Sequence, residues 1–444
     1  MAMRILHFTI NLYDGAGRAV YALHKGLQKA GEDSRVLVSK KIEEDNSVYE
    51  ISRKFNILPS STFQFPILPL STLFNNGFKI FGYLWRNLSW RSRIPPLKHL
   101  SFINFGLPFT TINHIREHIE NADIICLYSI GNFLSPRLIR EIVQTSNIPV
   151  IWTPMTAEPL SGGCYFNIDC DKFHEKCGNC PQLVFNREND FSRRFWNEKY
   201  KYLNDLPITF VAASNWVKKQ IGLSSLFKNH RIVKIMLGVN KNVFKPGDKS
   251  IARKFLGLPE DSKIILFGCF NLQDERKGGD YLMKALRLLN ENLETKYQSI
   301  KDKIMLVTFG KSIGINLPSD IPFKSQHLGR IYDDKILVKA FQSADVFVSP
   351  SVDDFGPRIV VEAFSCGTPI VAFNLGVAPD LVINDDDGFI VDKYDIKGIS
   401  TGILNCLLLN ETTPKYLNEN KLKKTCQIDF QVNEYQKLFR ELIL

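Results

Sequence analysis

Residues 3–9 (Met-Arg-Ile-Leu-His-Phe-Thr) form a short apolar run that gives way to Asn11-Leu12-Tyr13-Asp14-Gly15-Ala16-Gly17. From Arg18 to Ala30 the apolar positions change to helical spacing, at Val20, Leu23 and Leu27, and Gly31 is a stop signal. Ser34–Ser39 is apolar again. Strand, glycine turn, helix and strand make a βαβ unit, which implies a parallel sheet covered by helices. Ala122–Tyr128, Pro149–Trp152 and Ile208–Ala213 read as further buried strands, the last followed by Ser214, a good helix cap.

A second set of the same kind follows Lys245-Pro246. Lys263–Gly268, Lys303–Gly310, Phe323–Leu328, Val346–Ser349 and Thr368–Phe373 read as strands, and Gly279–Asn290 as a helix. Phe430–Leu444 has helical spacing at Tyr435, Leu438, Phe439 and Leu442. The expected fold class is α/β, with two Rossmann-like domains facing a central cleft. We place the first domain at 1–240 and the second at 241–425, joined near Asn240–Pro246. Ligands of such sheets bind outside the carboxyl ends of the strands, so the cleft is the expected site.

Two segments carry candidate chemistry. Asp14-Gly15-Ala16-Gly17-Arg18 lies between a strand and a helix. Its glycines let the backbone approach a ligand, and a helix N-terminus offers N–H groups and partial positive charge to a phosphate. A plain βα turn would use the same residues. The stretch 350–369 is richer. Its loop holds Asp353, Asp354, Phe355 and Gly356, and a helix starts near Pro357, a favoured first-turn residue. Asp354 can accept hydrogen bonds from hydroxyls. The helix start over Arg358, Ile359 and Val360 again suits an anion, and Glu362 follows inside the helix.

Pro350-Ser351, an acid, seven residues, Glu362-Ala363 and then Cys366-Gly367-Thr368-Pro369 closely resembles the donor-site signature of family 4 glycosyltransferases, which have the GT-B fold. Asp354 stands where that family has a glutamate. Asp274-Glu275-Arg276-Lys277-Gly278-Gly279 looks like its Lys-Gly turn, and Asn374–Asp380 like its Gly-Gly-x-Pro-Glu element with one glycine lost. Gly238-Val239-Asn240 resembles its interdomain element. The resemblance implies transfer of a sugar, with retention, from a UDP- or GDP-linked donor to a glycan or lipid-linked glycan, the acceptor lying on the 1–240 side. It implies a terminal helix, 426–444, that crosses back to the first domain. Lys277, Asp354 and Glu362 would be the catalytic group: Lys277 on the diphosphate, Asp354 on the sugar hydroxyls, Glu362 on the ribose. Gly15, Gly17, Arg18, Arg276, Phe355, Gly356, Pro357, Arg358, Ile359 and Val360 would complete the donor site. A lysine and helix dipoles that neutralise a diphosphate leave no need for a catalytic metal.

Pro159-Leu160-Ser161-Gly162-Gly163-Cys164 resembles a subgroup associated with bacterial surface-polysaccharide assembly. That subgroup usually has a His-Asp pair upstream, where this chain has Met155 and Thr156. Methionine cannot donate or accept as histidine does, so Glu158 or Asn132 is the candidate substitute. The alternative is a GT-B subunit that binds a sugar nucleotide or glycan without turning it over. Downstream, Cys164, Cys170, Cys177 and Cys180 form C-x5-C-x6-C-x2-C. A C-x2-C knuckle supplies two of the four soft ligands of a structural zinc, with His174 as a spare. Free thiols or one disulfide remain the other reading. Cys126, Cys269, Cys366, Cys406 and Cys426 lie in apolar or helical contexts and are expected in the core.

Composition changes one part of this picture. The chain has 444 residues, 44% hydrophobic and 23% charged, with a net charge of +10. Residues 51–116 hold eight Lys and Arg, no Asp or Glu, and twelve aromatics, so this stretch alone carries +8 of the +10. Phe78-Lys79-Ile80-Phe81-Gly82-Tyr83-Leu84-Trp85-Arg86 shows the interleaving. Three readings compete: a membrane-surface element, a single-stranded nucleic-acid groove and a packed helical insert. No nucleic-acid module accompanies the stretch, so no nucleic-acid partner is expected. With no signal peptide and no spanning run, the expectation is a cytoplasmic protein able to work at the inner face of the membrane.

Overall fold

The computed structural model describes residues 2–42, 44–51, 110–131, 133–183, 186–312, 321–409 and 425–443. Most of the basic aromatic stretch (52–109) and Asn132 lie outside the described residues.

Seven parallel strands build the first sheet: β1 (Arg4–Thr9), β2 (Asp33–Val38), β3 (Val48–Glu50), β4 (Ile124–Leu127), β5 (Val150–Trp152), β6 (Ile208–Ala212) and β7 (Ile232–Lys234), in the order β3-β2-β1-β4-β5-β6-β7. Six more build the second: β8 (Lys263–Asn271), β9 (Ile304–Lys311), β10 (Lys324–His327), β11 (Val346–Ser349), β12 (Ile370–Phe373) and β13 (Gly388–Val391), in the order β10-β9-β8-β11-β12-β13. Both are parallel sheets of Rossmann type, as expected. β4, β6 and β12 are buried at every position, because helices cover both faces of a parallel sheet. Successive residues feed opposite faces. Ile124 and Cys126 belong to one core cluster, Ile125 and Leu127 to the other.

Three edge-lying or adjacent short strands escaped the sequence reading: β3, β7 and β13. All three lie at a sheet edge and are only partly buried. A second difference concerns the first helix. It spans Gly15–Lys29 rather than starting at Arg18, because Asp14 caps it and accepts the Gly17 N–H at 2.7 Å. The glycine turn is therefore the helix's first turn. Pro357 also moves, from the first helical position to the N-cap of the helix Arg358–Ser365, which starts with no side-chain cap. Asp387 is buried and accepts the Ile383 N–H.

The helix Ile428–Ile443 packs on the helix Gly15–Lys29 of the first sheet. Val432, Tyr435, Leu438 and Phe439 enter the same cluster as Val20, Leu23 and Leu27. Each such side chain contributes about 1.5–3 kcal/mol on burial. The Tyr435 hydroxyl lies 2.9 Å from the Thr153 hydroxyl, and Gln431 accepts the Gly238 N–H at 2.8 Å. No helix among the described residues is long and apolar enough to cross a membrane.

Candidate functional site

In each sheet the strand order reverses beside its first strand, between β1 and β4 and between β8 and β11. Crevices open at such points. The segments 10–18, 272–278 and 350–358 leave β1, β8 and β11 there.

Lys277 sits on a single 3-10 turn, Glu275–Lys277, that ends at Gly278 with φ +77°. A Cβ on Gly278 would lie 1.8 Å from the Pro350 carbonyl oxygen, so only glycine lets this turn press against the acid loop. The Lys277 ammonium reaches Asp354 Oδ2, and Arg276 Nη1 stands 3.8 Å from the same oxygen. Burial acts to raise the Asp354 carboxyl, but these two cations outweigh it and hold it below the ordinary value. Asp354 is thus ionised beside an ammonium that keeps some exposure. This pair can meet an incoming diphosphate and sugar.

Other members of the expected donor set are spent on structure. Arg276 is buried: Nη1 donates to the Asp353 carbonyl at 2.9 Å, and Nη2 to Asp274 Oδ2 at 2.7 Å. It braces the acid loop rather than facing a ligand. Phe355 is fully buried in the core of the first sheet, with its ring 5.2 Å from Trp216. It is a wedge between the two halves. Val360 is also core, and Ile359 packs against that core, so at these two positions only the backbone can face an anion. Gly356 has φ +155° and turns its N–H back toward Asp354 Oδ1 at 3.4 Å. The two N-terminal glycines separate as well. A Cβ on Gly17 would meet the Asn11 carbonyl oxygen at 2.4 Å, whereas one on Gly15 would meet nothing within 4 Å. Gly17 serves the chain's own turn, and Gly15 faces open space.

The two helix starts meet across the cleft. Arg358 Nη1 donates to the Arg18 carbonyl at 2.6 Å. Arg18 pairs with Asp334 and lies 3.7 Å from Glu362 Oε1. Arg358 Nε is 3.0 Å from the same oxygen, but the two are not aligned as a hydrogen bond. Glu362 Oε1 is thus buried between two guanidinium groups at the meeting of the helix starts. Burial raises its carboxyl, and Arg358 and Arg18 offset this only in part. A folded value above the usual 4.5 means that the folded state holds the proton more tightly than the unfolded chain. Stability is then lost as pH rises from 4.5 through the folded value. Glu362→Gln should accordingly match the native melting temperature at pH 4 and equal or exceed it at pH 7, while its affinity for a nucleoside diphosphate falls. Melting curves at both pH values and calorimetric titration check both halves.

Several contributors were not legible in the sequence. Asp334 reaches Arg18 from 316 positions away. Asp380 accepts the Asn215 N–H at 2.8 Å and lies 3.2 Å from Lys234 Nζ, joining the second half to a helix start of the first. Asp353 Oδ1 is buried without a partner. The only available signal was that acids cluster in loops after strands.

Met155, at the position where the resemblance leads one to expect a histidine, packs against Ala19, Ala213 and Leu237. Glu158 does not substitute for it. Its carboxylate is buried and takes the Lys199 ammonium at 2.7 Å. Cys164, Cys170, Cys177 and Cys180 line one cavity with Phe173 and Phe191. Cys177 Sγ accepts the Gly162 N–H at 3.1 Å. The donor set suits zinc chemically. As placed, however, no three His, Cys, Asp or Glu side chains among the described residues are grouped to hold a metal ion. The His174 ring meets the Phe173 ring edge to face, with centroids 4.4 Å apart. The five remaining cysteines are buried, as expected.

Comparison with known proteins bears on this geometry. Residues 248–424 match the family model described as glycosyl transferases group 1. The D-inositol 3-phosphate glycosyltransferase of Mycolicibacterium smegmatis is 30% identical over 177 residues, 37% of this chain and 37% of that protein. D-inositol 3-phosphate glycosyltransferase 2 of Catenulispora acidiphila is 27% identical over 187 residues, 40% of this chain and 42% of that protein. The chain thus spans about two fifths of the length of the curated relatives it matches. Among solved structures, sucrose-phosphate synthase from Thermosynechococcus elongatus aligns with a TM-score of 0.63 at 16% identity, over 99% of both chains. Anabaena HepE in complex with UDP and glucose aligns with a TM-score of 0.60 at 14% identity, again over 99% of both. These likenesses establish the fold, two parallel-sheet domains of the GT-B kind.

Proposed function

We propose that this protein is a retaining glycosyltransferase that moves a sugar from a UDP- or GDP-linked donor to a hydroxyl of a glycan or lipid-linked glycan, in cell-surface polysaccharide synthesis. The observation that carries the reading is the cross-cleft meeting of two helix starts, with Arg18, Arg358 and Glu362 between them and Lys277–Asp354 alongside. The group 1 match over residues 248–424 and the complex of HepE with UDP and glucose support it. As the glycosidic bond breaks, negative charge develops on the diphosphate. Lys277 and the uncapped start of Arg358–Ser365 are donors held in place before that charge appears, which is the largest expected contribution to rate. Glu362 would hold the ribose and Asp354 the sugar. Closure of the cleft would exclude water and limit donor hydrolysis.

Turnover of a panel of UDP- and GDP-sugars tests this, with glycan acceptors offered free and as lipid-linked forms in anionic vesicles. Release of nucleoside diphosphate that depends on acceptor is expected, and vesicles should raise the rate if the basic stretch 51–116 works at a membrane surface. Met155 and the sequestered Glu158 favour one second reading, a binding subunit without turnover. Donor binding with no release across the panel would establish it.

Independently, from the C-x5-C-x6-C-x2-C spacing, we propose that the four cysteines hold a structural zinc. The ion would draw the thiols around their shared cavity together and leave no open position for chemistry. Purified protein should carry about one zinc per chain, and chelation should lower its melting temperature. Metal analysis that finds none would discard the zinc.

A further inference from the structure

The segment between Cys164 and Cys170 crosses from the first half of the molecule to the second and grips it at several points. The Phe166 ring lies 3.6 Å from the Arg276 guanidinium carbon. The Ile168 N–H donates to Asp353 Oδ2 at 3.0 Å. Asp169 accepts from the Lys393 ammonium and the Tyr394 hydroxyl. Ile168 and Asp169 adopt φ values of 41° and 63°. A β-branched residue rarely enters that region, and it stays there only where neighbouring contacts over-determine it.

These contacts converge on the loop that carries Asp354. Arg276 holds the Asp353 carbonyl with one arm and Asp274 with the other, and its own carbonyl accepts the Val352 N–H at 2.9 Å. The Phe166 ring fixes the face of that guanidinium, and an arginine so stacked keeps its fork in one plane. From the other side, the Ile168 N–H fixes the Asp353 side chain. Asp353 is thus held by backbone and by carboxylate, and Asp354, which pairs with Lys277, is the next residue. Phe355 already supplies the apolar wedge between the halves. The 166–169 contacts are different in kind, being directional and polar.

We propose that Phe166–Asp169 is a cross-cleft clasp that positions the donor-binding loop, with Phe166 acting through Arg276, Ile168 through Asp353, and Asp169 locking the far end on Lys393 and Tyr394. These are positioning residues: they act on Asp354 and Lys277 through others. The proposal rests on the donor reading given above, because a loop displaced by about 1 Å loses the geometry a reacting sugar nucleotide needs.

Phe166→Ala, Phe166→Trp and Asp169→Asn test it, each alone, with the Phe166→Ala/Asp169→Asn double variant. Donor KM and kcat, calorimetric nucleotide affinity, melting temperature and small-angle X-ray scattering of the ligand-free protein are measured. The clasp predicts that Phe166→Ala raises donor KM about tenfold with a smaller change in kcat, and that Phe166→Trp stays near the native value. It also predicts a larger radius of gyration for the double variant. Native donor affinity together with native scattering in the double variant would overturn it. If Phe166→Ala does not fold, Asp169→Asn carries the same comparison. If the native protein binds no nucleotide sugar, the donor reading fails, while the scattering comparison still judges the clasp: an expanded double variant supports it and an unchanged one refutes it.

Discussion

Lys277→Ala should lower kcat/KM for the nucleotide-sugar donor by about 10²–10³-fold, the size expected when one preorganised partner of a developing oxyanion is removed. The lysine's position depends on little else. A single turn carries it, Gly278 allows that turn to touch Pro350, and Asp354 holds the ammonium until a ligand arrives. The loss should fall mainly on kcat, since charge on the diphosphate grows as the bond breaks. The variant also strips Asp354 of a buried partner and leaves Arg276 at 3.8 Å. Some stability will therefore be lost, and Asp354→Asn in the same chain should recover part of it without restoring turnover. Steady-state kinetics and thermal melts on the single and double variants separate the two effects. A Lys277→Ala enzyme within threefold of native activity would remove this residue from the mechanism.

Lys199→Met should destabilise the protein by about 3–5 kcal/mol, the cost of breaking a buried ion pair by removing one member. Lys199 is 2% exposed. Its ammonium donates to the Glu158 carboxylate at 2.7 Å, to the Glu158 carbonyl and to the Ser161 carbonyl at 3.1 Å. Three acceptors lose their donor at once, and the helix Phe191–Leu203 loses its hold on the segment leading to the cysteines. At about 2–4 °C per kcal/mol for a unit of this size, the melting temperature should fall by roughly 10 °C. Pairing the change with Glu158→Gln should restore part of the loss, because no buried carboxylate is then left without its ammonium. A shift below 1 °C in thermal melts would show that the pair contributes nothing.

Much of the architecture follows from local patterns. Central strands are continuous apolar runs because both their faces are covered, and β11 falls on the expected residues, Val346–Ser349. Helices announce themselves by spacing and caps, as Ser214 does by accepting the Val217 N–H at 3.1 Å. Short strands at or near the sheet edges, such as β3 and β7, are legible only once their neighbours are in place, since half-exposed residues carry no period.

The candidate site divides along the same line. The family resemblance, carried by acids and glycines at set spacings, pointed to Lys277, Asp354 and Glu362, because such motifs depend on a few neighbouring residues. Which of the flanking residues face a ligand was a different matter. Arg276 became a brace, Phe355 a wedge and Gly17 a packing necessity, while Gly15 was left facing open space. Asp334 on Arg18, Asp380 on a distant helix start and Phe166 on Arg276 join residues more than a hundred positions apart. The sequence by itself determined two Rossmann-like layers and the chemical groups at their strand ends, since both arise from local sterics and periodic burial. Only the tertiary structure decided which of those groups are consumed in holding the halves together and which remain for a substrate, because that depends on where distant surfaces come to rest against each other.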